Sequence, residues 1–310
     1  MHRIILDTDP GIDDALALFL ALASPEIQLE ALTTVCGNVN LDHTTRNALA
    51  LLSLAGREDI PVAAGASRPL ILPHGDAASV HGLNGLGQLQ LPEPRITAHS
   101  QHAADLIIER VMQAPGEITL VAIGPLTNLA LALHKEPRIA RAVREVYIMG
   151  GALRVPGNVT PAAEFNIYCD PHAAHVVFHA GWPLRIVSLD VTHQVSLTPA
   201  DFAQLATSLD GSVKHAILQM TDFYFNVFQA EIATKAFHMH DPLCLAATFL
   251  PDLITWQPAY VDVELQGTLT LGETVADFKR HTQANMQTPV AVDAAGFRAL
   301  FLERIGQAYP

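Results

Sequence analysis

Basic residues are scarce in this chain of 310 residues: 18 Lys and Arg stand against 31 Asp and Glu, a formal net charge of −13. That balance excludes nucleic acid and anionic membrane surfaces as natural partners, because both demand concentrated positive charge. Long apolar runs are missing as well. Half of the residues are hydrophobic, yet no run approaches the roughly 18 residues of a spanning helix, so no membrane partner is expected. Cysteine is sparse: Cys36, Cys169 and Cys244 are scattered and odd in number. They form no disulfide framework and are expected as small buried thiols in a reducing, cytoplasmic setting. The N-terminus enters an apolar pattern without a basic leader, so secretion is not expected. What is left is a chain with ample material for a sizeable globular core.

Short apolar runs alternate with amphipathic stretches, the pattern of a mostly parallel sheet flanked by helices. Buried strands are expected at Arg3–Leu6, Leu29–Val35, Ile118–Ile123, Val146–Met149 and Leu184–Ser188. Helical spacing covers Asp13–Ala23, Thr44–Ala55, Ala103–Gln113 and Pro171–Ala180. Thr198 followed by Pro199 has the form of an N-cap with proline at the first helical position. No repeat, low-complexity run or linker interrupts the chain, so residues 1–310 are expected to form a single domain. The strands end in polar or Gly-rich segments: Asp7–Asp14, Gly37-Asn38, Gly124-Pro125 and Gly150-Gly151. In open α/β sheets ligands bind beyond the carboxyl ends of the strands, so the site is expected on that rim. Residues 66–99, rich in Gly, Pro and His, predict a long functional excursion near it, and the aromatic-bearing 212–236 segment is expected to overhang the same rim.

The most informative stretch is Ile-Ile-Leu-Asp-Thr-Asp-Pro-Gly-Ile-Asp-Asp at 4–14, with four carboxylates inside eight positions. Charges so crowded raise one another's pKa or recruit a cation, and oxygen ligands suit Ca²⁺ or Mg²⁺. Acids at a helix N-terminus would account for Asp13 and Asp14, but not for Asp7 and Asp9. A Ca²⁺ loop of the EF-hand type would need Gly at its sixth position and Glu at its twelfth; Ile12 and Leu18 stand there. A strand followed by Asp-x-Asp also fits a phosphatase of the haloacid-dehalogenase type with Asp7 as nucleophile, although Gly11 replaces the expected Thr or Val.

His238-Met239-His240-Asp241-Pro242 is the second segment of interest. Asp241 before Pro242 has the form of an N-cap, and it equally offers one more oxygen ligand. No further thiolate or histidine lies at zinc spacing nearby. His240 would then stand beside the metal as a proton donor, with His238 structural. Ala163-Glu164-Phe165-Asn166 could grip vicinal hydroxyls through the polar pair around its aromatic residue.

Asp-Thr-Asp-Pro-Gly-Ile-Asp-Asp-Ala at 7–15 resembles the signature of the inosine–uridine-preferring nucleoside hydrolases. Gly37-Asn38, His81-Gly82, Ile123-Gly124-Pro125-Leu126-Thr127-Asn128, Met149-Gly150-Gly151, Gly157-Asn158, Ala163–Asn166 and His240-Asp241 agree in order and spacing. The resemblance implies one α/β domain, a homodimer or homotetramer, and Ca²⁺-dependent hydrolysis of the N-glycosidic bond of ribonucleosides. It implies Ca²⁺ ligation by Asp9, Asp14, Asp241 and the main-chain carbonyl of Ile123. Asp13 would deprotonate the attacking water. Asn38, Asn158, Glu164 and Asn166 would hold the ribose hydroxyls, with Met149 and Phe165 against the sugar. His81 would lie near the nucleobase, and His240 would assist its departure. Phe228 falls about where some pyrimidine-preferring members carry glutamine. The alternatives are the Mg²⁺-dependent phosphatase and a non-catalytic nucleoside- or calcium-binding protein.

Overall fold

Ile4, Ile5 and Leu6 are inaccessible to solvent, and successive residues feed opposite faces of a sheet. Ile4 and Leu6 join Leu16, Phe19, Val121, Leu243 and Phe297 in one apolar layer, whereas Ile5 joins Leu106, Leu120, Ala122 and Phe178 in the other. A strand apolar on both faces belongs in the middle of a sheet covered by helices on both sides. Leu6→Ala would cost about 2–5 kcal/mol on that account.

The computed structural model describes residues 1–208, 210–227, 236–279 and 281–309. Its strands are β1 (His2–Thr8), β2 (Ile27–Thr34), β3 (Val62–Ala64), β4 (Ile118–Ala122), β5 (Glu145–Met149) and β6 (Leu184–Val187). There follow β7 (Ser196–Leu197), β8 (Phe237–His238), β9 (Ile254–Val263), β10 (Thr274–Asp277) and β11 (Met286–Val292). Nine of them form one sheet in the order β10-β9-β11-β6-β5-β4-β1-β2-β3, and β7 pairs with β8. From β3 through β11 every pairing is parallel; β9 runs antiparallel to β11 and β10 antiparallel to β9. The chain leaves β1 towards β2 and β3, then returns to β4 on the other side of β1. That reversal opens a crevice at the carboxyl ends of β1 and β4. Among the described residues no helix is long and apolar enough to cross a membrane.

The expected strands and helices are all present, with ends shifted by up to three residues. The second helix opens at Leu41 rather than Thr44, because Asn40 accepts a hydrogen bond from the His43 N–H as its N-cap. Thr198 caps its helix as expected, in a reciprocal box with Asp201. Asp241 is not an N-cap: its helix begins at His240, after Met239, which frees the carboxylate for the rim. β9, β10, β11 and the helix Ala294–Ala308 lie beyond the elements expected from pattern alone. β9 and β11 each carry a proline, Pro258 and Pro289, at edges of the parallel pattern, which blurs their period.

Candidate active site

β1 delivers Asp7 and Asp9 to the crevice, but to different tasks. Asp7 still lies within β1, where its Oδ1 accepts hydrogen bonds from Thr33 Oγ1 (2.5 Å) and Asn128 Nδ2 (2.8 Å). Burial pushes its carboxyl up to about 7. Asn128 also bonds the Thr34 carbonyl and the Ala66 N–H, so this carboxyl ties β1 to β2 and to the helix Thr127–Lys135 after β4. Asp9 is fully buried, and its Oδ2 accepts from the Asn38 N–H at 2.7 Å. Its other oxygen, Oδ1, is buried with no hydrogen-bond partner among the described residues. A Cβ on Gly37 or on Gly124 would collide with this carboxyl, so both positions require glycine for close approach rather than for a special φ.

Asp13 and Asp14 open the helix Ile12–Ala23 directly beyond. Asp14 is the hub. It accepts from Thr8 Oγ1 (2.5 Å), the Gly11 N–H (2.9 Å) and Asn38 Nδ2 (3.0 Å). Asp13, Asp14 and Asp241 place carboxylate oxygens within 4.8 Å of one another. Burial raises the Asp13 and Asp14 carboxyls to about 6, and the Asp13 charge adds to the rise at Asp14. Asp9 and Asp241 are pushed well above the usual carboxylate range by burial and by the neighbouring Asp14 and Asp13 respectively. Four acids in one dry crevice cannot all ionise without a compensating charge. All-oxygen donors and an orphaned buried carboxylate oxygen suit a hard divalent cation.

The rest of the site closes around this cluster. His81, at the end of the short helix Ala78–His81 in the 66–99 excursion, turns its Nδ1 to the Ile12 N–H at 3.0 Å. A backbone N–H can only donate, so Nδ1 accepts and the ring hydrogen sits on Nε2. Burial lowers its pKa to about 4, keeping it neutral. Asn166 Nδ2 bridges the carbonyls of Ile123 (2.9 Å) and Met149 (3.2 Å), the ends of β4 and β5. The Ile123 carbonyl keeps a second lone pair for another partner. Glu164 is buried, and its two oxygens accept from the N–H groups of Asn166, Gly151 and Ile167. Asn158 is exposed and caps the Phe165 N–H at 2.9 Å, while Phe165 is partly buried. His240 stands beside Asp241 with Nδ1 2.8 Å from Thr192 Oγ1, its pKa well below the ordinary range through burial.

A profile of the inosine–uridine preferring nucleoside hydrolases matches residues 4–299. The inosine-uridine preferring nucleoside hydrolase of Leishmania major is 44% identical over 98% of both chains. This chain belongs to that family. The pyrimidine-specific ribonucleoside hydrolase RihA of Enterobacter sp. strain 638 is 42% identical, over 98% of this chain and 97% of its own. In solved structures, the purine-preferring ribonucleoside hydrolase of Gardnerella vaginalis superposes with a TM-score of 0.94 at 35% identity, over 99% of this chain and 98% of that one.

In this nucleoside hydrolase the residues singled out from sequence come together at one rim, Asn158 at its exposed edge. Family membership sets the phosphatase aside, and Asp7 holds Thr33 and Asn128 through Oδ1 inside β1, with its Oδ2 buried. Sequence reading missed those supports, together with Thr8, Thr192 and the buried Asp170 that accepts from Thr127 Oγ1 and the Leu70 N–H. Thr127 and Asn128 sit in the quoted motif after Ile123, which was the available signal. The Asn38 amide donates to Asp14 and to the Asp9 carbonyl, which fixes the side chain at the acidic cluster. The helix Gly211–Val227 packs Phe223 against Gly87 of the excursion, so both expected overhangs meet. Phe228 lies outside the described residues.

Proposed function

We propose that this chain hydrolyses the N-glycosidic bond of ribonucleosides of the inosine and uridine type to free base and ribose, with Ca²⁺ held by Asp9, Asp14, Asp241 and the Ile123 carbonyl. The observation that carries the reading is the buried, unpartnered Asp9 Oδ1 among four crowded carboxyls at the switch point of the sheet. When bound, Ca²⁺ would hold a ribose diol and a water together and ease loss of a proton from that water. Asp13, with a carboxyl near 6 and a side chain 14% exposed, is tuned to take that proton near neutrality. The surrounding carboxylates favour the positive charge that develops on the sugar as the bond to the base lengthens. Asn158, Glu164 and Asn166 orient the hydroxyls, with Met149 and Phe165 against the sugar. His81 and His240 face the base. The buried unpaired thiols Cys36, Cys169 and Cys244 fit a reducing cytoplasm, and the working form is taken to be a homodimer or homotetramer. Incubation with a nucleoside panel should release reducing sugar from inosine or uridine; release of none from any ribonucleoside would reject the reading.

Metal removal has a signed consequence. Asp13 and Asp14 titrate near 6 in the native chain against 3.8 in the unfolded one. The native state therefore holds more protons, and metal-free stability falls as pH rises from about 4 to 6. Ca²⁺ binds the ionised native cluster, so its stabilisation should grow over the same window. Melting curves in chelator and in Ca²⁺ at pH 5 and pH 7.5 test this; an equal shift at both would contradict it.

A deoxy sugar should be a poor substrate. Loss of the 2′-hydroxyl would leave buried polar groups facing nothing, a mismatch that costs about 10⁴–10⁵-fold in sites built around a hydroxyl. Comparable kcat/KM for uridine and 2′-deoxyuridine would show that the ribose-holding residues are misassigned.

A further inference from the structure

A second cluster of metal-ligating groups lies on the opposite rim, away from the acids. The helix Pro171–Phe178 carries His175, and His179 follows four residues later at its C-cap, so both rings share one helix face. Across from them, β9 offers Asp262, with Tyr260 two residues before it on the same strand face. β9 runs antiparallel to β11, so Asp262, near its end, points to the amino ends of the parallel strands.

The donors are arranged as ligands. His175 Nδ1 is 2.8 Å from Asp262 Oδ1, and His179 Nε2 is 3.6 Å from Asp262 Oδ2. One ligating atom from each of the three residues lies within 4.8 Å of the others. Tetrahedral zinc, with bonds of 2.0–2.2 Å, needs donors about 3.4 Å apart, so small side-chain adjustments suffice. His179 Nδ1 lies 2.8 Å from the His175 carbonyl, which can only accept, so Nδ1 carries a hydrogen, and Nε2 faces the Tyr260 hydroxyl at 3.2 Å and the Asp262 carboxylate. A ligating histidine anchored through its other nitrogen to a backbone carbonyl is the usual outer support of a zinc site. Asp262 is anchored in turn, accepting from the Val263 N–H (2.8 Å) and the Tyr260 hydroxyl (3.1 Å). The three side chains are between a third and two-fifths exposed, which leaves an entry path and a fourth position for water.

We propose that His175, His179 and Asp262 form a binding site for a borderline divalent transition metal of the zinc class, separate from the acidic cluster. Two nitrogens and one carboxylate suit Zn²⁺ and disfavour Ca²⁺, which seeks oxygen. On binding, the ring hydrogen of neutral His175 moves from Nδ1 to Nε2, and the metal takes its place between ring and carboxylate. The ion clips the helix to β9 across 87 positions of sequence, a stabilising rather than catalytic role.

Chain stripped with chelator and returned to excess Ca²⁺, so that the acidic cluster is saturated, should take up one Zn²⁺ per chain by calorimetry. Zn²⁺ should also raise its melting temperature above that in Ca²⁺ alone. His179→Gln changes a side chain that is about one-third exposed, on the rim away from the acids, and should leave fold and nucleoside hydrolysis in Ca²⁺ intact. It should weaken zinc binding by at least about 100-fold, because disturbing an outer support alone costs about 10–100-fold. No uptake by the wild-type chain, or uptake that survives His179→Gln (for instance at His193, His238 and His240), would overturn the proposal.

Discussion

Asp13→Asn should lower turnover of inosine or uridine by about 10²–10⁴-fold, the range that a positioned proton acceptor supplies, while Ca²⁺ and nucleoside still bind. The substitution keeps the shape of the side chain and removes only its basicity. Asp14 cannot take over. Its oxygens accept from Thr8 Oγ1, the Asp9 and Gly11 N–H groups and Asn38 Nδ2, four donors that pin the carboxylate in place. Asp241 is held next to Asp13 itself and faces the same cation-seeking cluster. Asp13 alone of the three combines partial exposure with a carboxyl held near 6 by burial. Equilibrium binding of nucleoside and Ca²⁺, set beside single-turnover rates, separates the roles. Lost Ca²⁺ with an otherwise normal rate at saturating metal would make Asp13 a ligand and move the base elsewhere.

How much of this was legible in the chain follows from where each signal resides. Asp7, Asp9, Asp13 and Asp14 are adjacent in sequence, so their crowding was visible before any fold was known. Their division of labour was not. It depends on Thr33 and Asn128, which lie 26 and 121 positions from Asp7 and meet it only across the sheet. The parallel core declared itself because runs such as Ile4–Leu6 are buried on both faces. The outer strands did not. β9 has alternating exposure with Pro258 within it, and β10 has only four residues. Glycines at 37 and 124 looked like ordinary turn residues; only the position of the Asp9 carboxyl shows why no Cβ fits there. Asp241 before Pro242 carried the form of a cap, but the helix starts one residue earlier and turns that carboxylate toward the acids. Within the parallel core local pattern marked the elements, and contacts distant in sequence decided what their polar atoms do.

His240→Ala should slow hydrolysis of inosine or uridine by about 10²–10⁴-fold yet leave 4-nitrophenyl riboside much less affected. The difference lies in the leaving group. A nucleobase departs as a nitrogen anion that needs a hydrogen-bond donor or a proton, whereas nitrophenolate leaves unaided. Burial among His238, His193 and His81 holds the His240 ring neutral, so it acts on the base as a neutral donor and not as a resident imidazolium. Thr192 Oγ1 sits 2.8 Å from Nδ1. With that hydroxyl donating, Nδ1 accepts, and the ring hydrogen on Nε2 is available to a departing base. Thr192→Val should therefore give a weaker version of the same substrate split, because it releases the ring without removing it. Equal losses on both substrates in His240→Ala would mean that His240 positions Asp241 and the metal, and that the base leaves without its help.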